Sequence, residues 1–185
     1  MDGRSGRGLD ARTVALTGIM IAVVAAFTLL IRIPIAATGG YVNLSDVAVF
    51  FTAFTLGPIP GLVAGGVGAG LADVVGGYPE FSWLSLIAHG LEGLLAGYIV
   101  QRGIGGMGAG SMVLGWLVGA AAMVVCYFLG ETLVLTGVGP ALGEAPFNIL
   151  QVIIGGVVGA ALTIAVRQAY PPIAQLNRPR TWREM

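Results

Sequence analysis

The chain has 185 residues, of which 56% are apolar and only 10% charged, where a soluble domain carries roughly 25% charged residues. A mean hydropathy of +0.90 leaves too little polar surface for a water-facing globule, so the lipid bilayer is the expected solvent. The net charge is zero, which gives no basis for a nucleic-acid partner.

In chain order, six apolar runs stand out against the roughly 20 residues that a spanning helix needs. The first, Thr13 to Ile33, has spanning length and is closed by Pro34. It exceeds a signal-peptide core and lacks a small-residue cleavage site, so it reads as a retained helix. A polar stretch from Ala37 to Asp46 follows. A short run from Val47 to Leu56 ends at the turn signal Gly57-Pro58-Ile59-Pro60. The third run, Gly61 to Val75, is rich in Gly and Ala and stops at Gly76-Gly77-Tyr78-Pro79. The fourth spans Trp83 to Val100, and a Gly-rich connection from Arg102 to Gly110 follows it. The fifth spans Ser111 to Leu135, with Thr136 to Ala145 read as a loop. The sixth runs from Phe147 to Val166.

This is an all-α integral membrane fold with six transmembrane helices. It divides into an N-terminal segment (1–12), a six-helix membrane domain (13–169) and a polar, poorly ordered tail (170–185). A five-helix chain with a re-entrant second run would put the termini on opposite sides of the membrane. The glycines, 31 in all, read as tight helix packing, with no chemical role.

All nine basic residues are arginines. With six spans, Arg4, Arg7, Arg12, Arg102, Arg167, Arg178, Arg180 and Arg183 share one side and Arg32 stands alone on the other. By the positive-inside rule both termini are then cytoplasmic.

That topology puts the polar residues of the spans at one depth. Tyr41, Asn43 and Asp46 lie before and at the start of the second helix, and Asp73 in the last turn of the third. Tyr78 follows it. His89 and Glu92 are three apart on one face of the fourth helix. Tyr127 and Glu131 approach the outer end of the fifth, and Asn148 and Gln151 open the sixth. Ionisable groups inside a membrane are costly, at least about 2.5 kcal/mol each at a helix centre, and usually functional. Apolar and aromatic walls with a few convergent polar groups describe a small-molecule pocket, so these eleven residues form the expected substrate site. Simpler roles compete at several positions. Asp46 or Ser45 would cap the second helix, and Asp73 would be a solvated loop-edge acid. Tyr78, Phe81 and Trp83 would form an interfacial belt, and Glu80 and Glu144 would be outer-loop charges.

One His and one Cys cannot build a His- or Cys-rich metal site, and carboxylates scattered singly carry no metal motif, so no metal ligands and no cofactor are assigned. Cys126, alone in an apolar run, reads as a small buried hydrophobe. There is no phosphate-binding loop for ATP hydrolysis and no Gly-x-Ser-x-Gly nucleophile elbow. The chain is therefore not expected to be an enzyme.

Several segments carry a resemblance. Ala11-Arg12-Thr13-Val14-Ala15, Gly40-Tyr41-Val42-Asn43-Leu44-Ser45-Asp46, Gly57-Pro58, Leu71-Ala72-Asp73 with Gly77-Tyr78, Leu91-Glu92-Gly93, and Pro146-Phe147-Asn148-Ile149-Leu150-Gln151 with Gly155 are similar to elements of the S-components of energy-coupling factor (ECF) transporters. The resemblance covers roughly residues 11–167 and is strongest to the branch for riboflavin-, hydroxymethylpyrimidine-, pyridoxine- and queuosine-precursor-type substrates. It differs in carrying His89 where many relatives have Lys. The resemblance implies a bacterial or archaeal plasma-membrane subunit that captures a vitamin or precursor from outside, with the first outer loop as a lid. It implies docking through Ala11 and Ala15 on a transmembrane coupling subunit driven by two ATPase subunits, and release inward by toppling. The acid-rich pocket, without Lys and with Arg32 as its one nearby Arg, favours a neutral or cationic heterocycle of the aminopyrimidine or pyridine type over a phosphorylated one. Riboflavin and a queuosine precursor stay open. The competing reading is a six-helix membrane scaffold without a small-molecule ligand.

Overall fold

The computed structural model describes residues 11–106 and 108–177. Within them the chain forms α1 (Ala11–Leu30), a two-residue ribbon of β1 (Ile33–Pro34) with antiparallel β2 (Tyr41–Val42), α2 (Ser45–Leu56), α3 (Pro58–Gly76), α4 (Ser82–Arg102), α5 (Ala109–Gly130) and α6 (Val138–Ala169). A widened π-helical turn, Glu131–Leu135, continues α5, and a 3₁₀ turn, Pro171–Gln175, follows α6.

Five of these helices are long and apolar enough to cross a bilayer; α2 is the shorter sixth. Its 12 residues reach about 18 Å at 1.5 Å per residue. Except for half-buried Phe51, every residue of α2 is buried, because α1, α3, α4 and α6 surround it. A helix apolar on all sides belongs in the interior. The outward faces of the other helices carry exposed Leu71, Leu117, Val125, Ile149 and Val157, as a lipid-facing surface requires.

Contacts at glycines set the directions of the helices. A Cβ on Gly68 would meet Val24, and one on Gly76 would meet Leu29 and Arg32, so α1 and α3 run parallel. Gly61 lies against Gly93, and Gly70 against Ser82, so α3 and α4 are antiparallel; Gly115 and Gly119 bring Ala96 and Glu92 against α5 in the same sense. Gly155 meets Asp46, and Gly159 meets Phe50, so α2 and α6 run parallel. The short α2 therefore reverses the chain like its longer neighbours. The start of α1 and the end of α6 emerge at one end of the bundle, and the polar residues of the spans gather toward the other.

Two segments differ from the sequence reading. The expected loop from Thr136 to Ala145 is mostly the first turns of α6, which begins at Val138 and runs through Pro146. Pro140 falls in the first turn, where backbone N–H groups have no intrahelical partner to lose, so it punctuates nothing. The tail expected to be poorly ordered is packed as far as Asn177. The Asn177 amide donates to the Ala53 and Phe54 carbonyls (3.3 and 3.0 Å), and Arg167 Nη2 donates to the Phe54 carbonyl at 2.7 Å. The Phe54 carbonyl has no backbone partner four residues on, because Pro58 carries no N–H, and these donors satisfy it; the Ala53 carbonyl also accepts the Gly57 N–H at 3.1 Å. Residues 1–10 and 178–185, with Arg4, Arg7, Arg178, Arg180 and Arg183, lie outside the described residues.

Small residues at the crossings predict a sharp stability contrast. A Cβ on Gly93 would sit 2.4 Å from the Gly61 carbonyl oxygen, whereas one on Gly18 has nothing within 4 Å. Gly93→Val is expected to lower the thermal melting temperature of the detergent-purified protein by several degrees, as overpacking costs about 1–3 kcal/mol. Gly18→Ala is expected to leave it unchanged or slightly raised.

Candidate functional site

The site is built where the start of α2, the end of α3, the first half of α4, the end of α5 and the first half of α6 meet beneath the 31–44 connection. Asp46 stands in the first turn of α2 and is fully buried. It does not cap the helix, contrary to the simpler reading, since α2 has no side-chain cap. Asn43 takes part of that role, accepting the Ser45 N–H at 2.7 Å. Asp46 instead turns into the bundle, where Oδ1 accepts from Gln151 Nε2 (3.1 Å) and lies 3.2 Å from His89 Nδ1. The same His89 nitrogen is 3.0 Å from Glu92 Oε2. Asp46, His89 and Glu92 are at most 1% exposed.

The opposite edge of His89 begins a second line of contacts. Nε2 lies 3.4 Å from the Tyr127 hydroxyl, which is 2.6 Å from Ser85 Oγ. Ser85 also reaches Asp73, and Asp73 Oδ1 accepts from the Tyr41 hydroxyl at 2.5 Å. A polar line thus runs from Asp46 and Glu92 through His89, Tyr127 and Ser85 to Asp73 and Tyr41, drawing on α2, α4, α5, α3 and the outer connection. Tyr41 is buried, and its ring packs on that of half-buried Tyr78 with centroids 4.6 Å apart. Arg32 lies over the Tyr41 ring and donates to the Gly76 carbonyl at 2.9 Å. Burial and the hydrogen bond to Asp73 push the Tyr41 phenol above its ordinary value, so it stays a donor across the physiological range.

A third group lies beside this line. Glu131 and Glu144 face one another, with Asn148 and Thr38 on Glu144. All but Thr38 are buried, Glu131 completely. Glu144 is therefore not the outer-loop charge expected from the sequence, and the α6 extension explains why: it lies in the second turn of the helix, facing inward. Asp73, 3% exposed, is likewise no solvated edge acid. Glu80 and Trp83 are exposed as expected, while Phe81 is buried. Cys126 is only half-buried and lines a shallow apolar groove between α4 and α5.

All eleven expected residues lie in or directly against this assembly. Sequence reasoning missed Thr38, Ser85 and Glu144. The signal for Ser85 was present: it precedes His89 by four residues on the same face of α4. No metal ligands were assigned from the sequence, yet the fold brings ligand atoms of Asp46, His89 and Glu92 within 4.8 Å of one another.

Two features define what this arrangement can do. First, acceptors outnumber donors. Asp46 Oδ2, Asp73 Oδ2, Glu92 Oε1 and both oxygens of Glu131 are buried without a hydrogen-bond partner, although most buried polar groups in proteins have one. Second, the space is small. The cleft lined by Tyr41, Asn43, Asp73, Phe81, Ser85, Tyr127 and Glu144 has a volume of about 10 Å³, room for about one water. The outer connection is held down over it by Tyr41 on Asp73, Thr38 on Glu144, and the Asn43 N–H on Gln151 Oε1 (2.7 Å).

Comparison with known proteins identifies the molecule's class. A family model described as "ECF-type riboflavin transporter, S component" matches residues 8–168. The chain belongs to the S-component family of ECF transporters. It is accordingly a substrate-binding, multi-pass membrane subunit of a transporter and not an enzyme. An uncharacterized protein of Pyrococcus woesei is 36% identical to this S-component over 148 residues, 80% of this chain and 97% of that protein. The thiamine precursor transporter HmpT of Lactococcus lactis is 31% identical over 127 residues, 69% of this chain and 70% of that one. The crystal structure of FolT bound with folic acid shares the fold at a TM-score of 0.56 and 18% identity, covering 93% of this chain and all of that one.

The contacts under the outer connection predict its local stability. Tyr41→Phe removes the bond to buried Asp73 and leaves Ser85 as its remaining side-chain partner, a loss of about 1.5–3 kcal/mol for a hydrogen bond to a charged group. Amide exchange over residues 35–44 is expected to speed up by roughly tenfold or more, with exchange in the middle of α3 unchanged, as read by hydrogen–deuterium mass spectrometry.

Proposed function

We propose that this S-component captures a small, polar, neutral or cationic heterocyclic vitamin or vitamin precursor, of the hydroxymethylpyrimidine or pyridoxine type, between the outer connection and the Asp73–Tyr127–Glu131–Asn148 side of the polar assembly. The observation that carries this reading is the surplus of buried, unpartnered carboxylate oxygens converging from α2, α3, α4 and α5. Such a surface asks for hydrogen-bond donors: an exocyclic amine, a protonated ring nitrogen or a hydroxyl. A phosphate or a polycarboxylate would meet only like charge. Tyr41, Tyr78, Phe81 and Tyr127 supply faces and edges for a flat ring. The thiamine-precursor name of the Lactococcus relative supports the pyrimidine choice, while the riboflavin description of the family model and a queuosine precursor define the remaining candidates.

Binding sites for molecules of this size occupy about 300–1,000 Å³, so a cleft of about 10 Å³ requires the 35–44 segment to lift before a ring enters. Three hydrogen bonds hold it, each worth about 0.5–1.5 kcal/mol net, or more where charged, within reach of a ligand's binding energy. In this reading the polar end of the bundle faces outward. Arg12, Arg102 and Arg167 mark the cytoplasmic end of a bacterial or archaeal plasma membrane, where both termini lie. Ala11 and Ala15 lie on an exposed face of α1. They allow close approach of a transmembrane coupling subunit, through which two ATPase subunits drive toppling and inward release. A six-helix scaffold offers no reason for the buried, unpaired acids.

Two measurements test the proposal. Calorimetric titration of the purified chain with a vitamin panel is expected to show tight binding of an aminopyrimidine or pyridine compound. Glu131→Ala and Asn148→Ala are each expected to weaken that binding at least tenfold. Silence across the panel, or full binding by both variants, would end the reading. In cells carrying the energising subunits, Ala15→Leu is expected to abolish uptake while leaving affinity for the same compound unchanged; uptake at the wild-type rate would remove α1 as the docking face.

A further inference from the structure

The Asp46–His89–Glu92 group, at the floor of the assembly, presents an electrostatic problem that the vitamin reading leaves standing. All three side chains are at most 1% exposed. Among the described residues no arginine lies within ion-pair distance of either acid, and His89 is the only basic partner they have. With a protonated imidazole the group carries a net charge of −1, and with a neutral one −2. Neither is tolerable in a low-dielectric interior unless a carboxyl takes up a proton or a cation supplies the compensating charge.

A proton on His89 Nδ1 does not resolve this. That nitrogen faces Glu92 Oε2 at 3.0 Å and Asp46 Oδ1 at 3.2 Å, so one N–H is divided between two acceptors. Asp46 Oδ1 is also the atom on which Gln151 Nε2 (3.1 Å) and Ser45 Oγ (3.3 Å) donate. Meanwhile Asp46 Oδ2 and Glu92 Oε1 receive nothing. Donors crowd one oxygen while two fully buried ones go without, a distribution that calls for a positive centre reached by both carboxylates and the imidazole.

We propose that Asp46, His89 and Glu92 form a binding site for one divalent first-row transition-metal ion of the zinc, cobalt or manganese class, through His89 Nδ1 and one oxygen of each acid. Three observations support the assignment. The separations of 3.0 and 3.2 Å from His89 Nδ1 to the two acids match the edges of a coordination polyhedron with metal–ligand bonds of about 2.0–2.2 Å, whose neighbouring ligands lie about 3.0–3.4 Å apart, and all three ligand atoms lie within 4.8 Å of one another. One imidazole nitrogen with two carboxylate oxygens suits these ions better than magnesium or calcium, which take oxygen alone, or copper(I), which takes sulfur. The outer contacts of the histidine also have the right sense: a metal-bound imidazole donates its remaining N–H to an oxygen, and His89 Nε2 faces the Tyr127 hydroxyl, which is itself backed by Ser85. A divalent ion with a neutral imidazole and two carboxylates brings the group to zero net charge. The proposal draws on the same unpartnered Asp46 and Glu92 oxygens that enter the vitamin reading, and metal titration in the absence of any vitamin separates the two.

The test uses the full chain in detergent, stripped with a chelator and titrated with Co²⁺ and with Zn²⁺. One equivalent of Co²⁺ is expected to bind and give a ligand-field absorption band, which Zn²⁺ displaces. Asp46→Asn and Glu92→Gln, which keep shape and remove charge, are each expected to weaken binding at least 100-fold. Glu131→Gln, in the neighbouring carboxyl pair, is expected to leave binding within twofold of wild type. X-ray absorption at the zinc edge of the wild-type protein, which needs no variant to fold, is expected to show one imidazole nitrogen and carboxylate oxygens in the inner shell. Lack of stoichiometric binding of either ion would overturn the proposal. So would wild-type affinity in both Asp46→Asn and Glu92→Gln, loss of binding in Glu131→Gln, or an inner shell of water oxygens alone.

Discussion

Close approach of helix backbones at glycine is the constraint on which the rest of this molecule depends. In lipid there is no hydrophobic drive to bring helices together, so packing distance and interhelical contacts carry the association. Here the crossings are tight enough that a single methyl group would collide: at Gly61 with the Gly93 carbonyl, at Gly65 with the His89 carbonyl, at Gly155 with the Asp46 side chain. Each of the last two contacts involves a residue of the polar assembly. Gly65 seats the turn of α4 that carries His89, and Gly155 lets the first turn of α2 lie flat on α6 so that Asp46 meets Gln151. The glycines of the third and sixth helices thus set the geometry of the site.

Tight packing also explains why the site is rich in unpaired acceptors. The polar groups come from five helices, and each is held by its own helix at one position around the core. Where two acids converge, as at Glu131 with Glu144 or Asp46 with Glu92, the backbone does not give way to separate them. The bundle holds acidic side chains together in a dry place. That is costly for stability and useful for capture, because whatever supplies the missing donors or positive charge gains the difference. The 31–44 connection closes over this region through hydrogen bonds from Tyr41, Thr38 and the Asn43 amide.

The likeness to FolT at 18% identity belongs to the fold and says nothing of the substrate, since one scaffold carries many specificities through local side chains. His89, Tyr127, Glu131 and Asn148 belong to the polar end of this bundle.

The linear sequence was enough to predict a membrane protein of six helices with its polar residues gathered toward one end of the bundle. Those features depend on composition, run length and charge placement, which are local properties. It also marked the neighbours three residues apart, His89 with Glu92 and Asn148 with Gln151, because helix periodicity alone puts them on one face. Tertiary structure alone decided which face met which. Asp46 reads equally well as a helix cap, Glu144 as a loop charge, and Asn177 as part of a loose tail; each became a buried interior group once α2 was enclosed, α6 began at Val138, and the tail packed on the Phe54 carbonyl. The approach of Asp46 to His89 spans 43 positions of the chain and rests on helix directions and glycine contacts that no local pattern encodes.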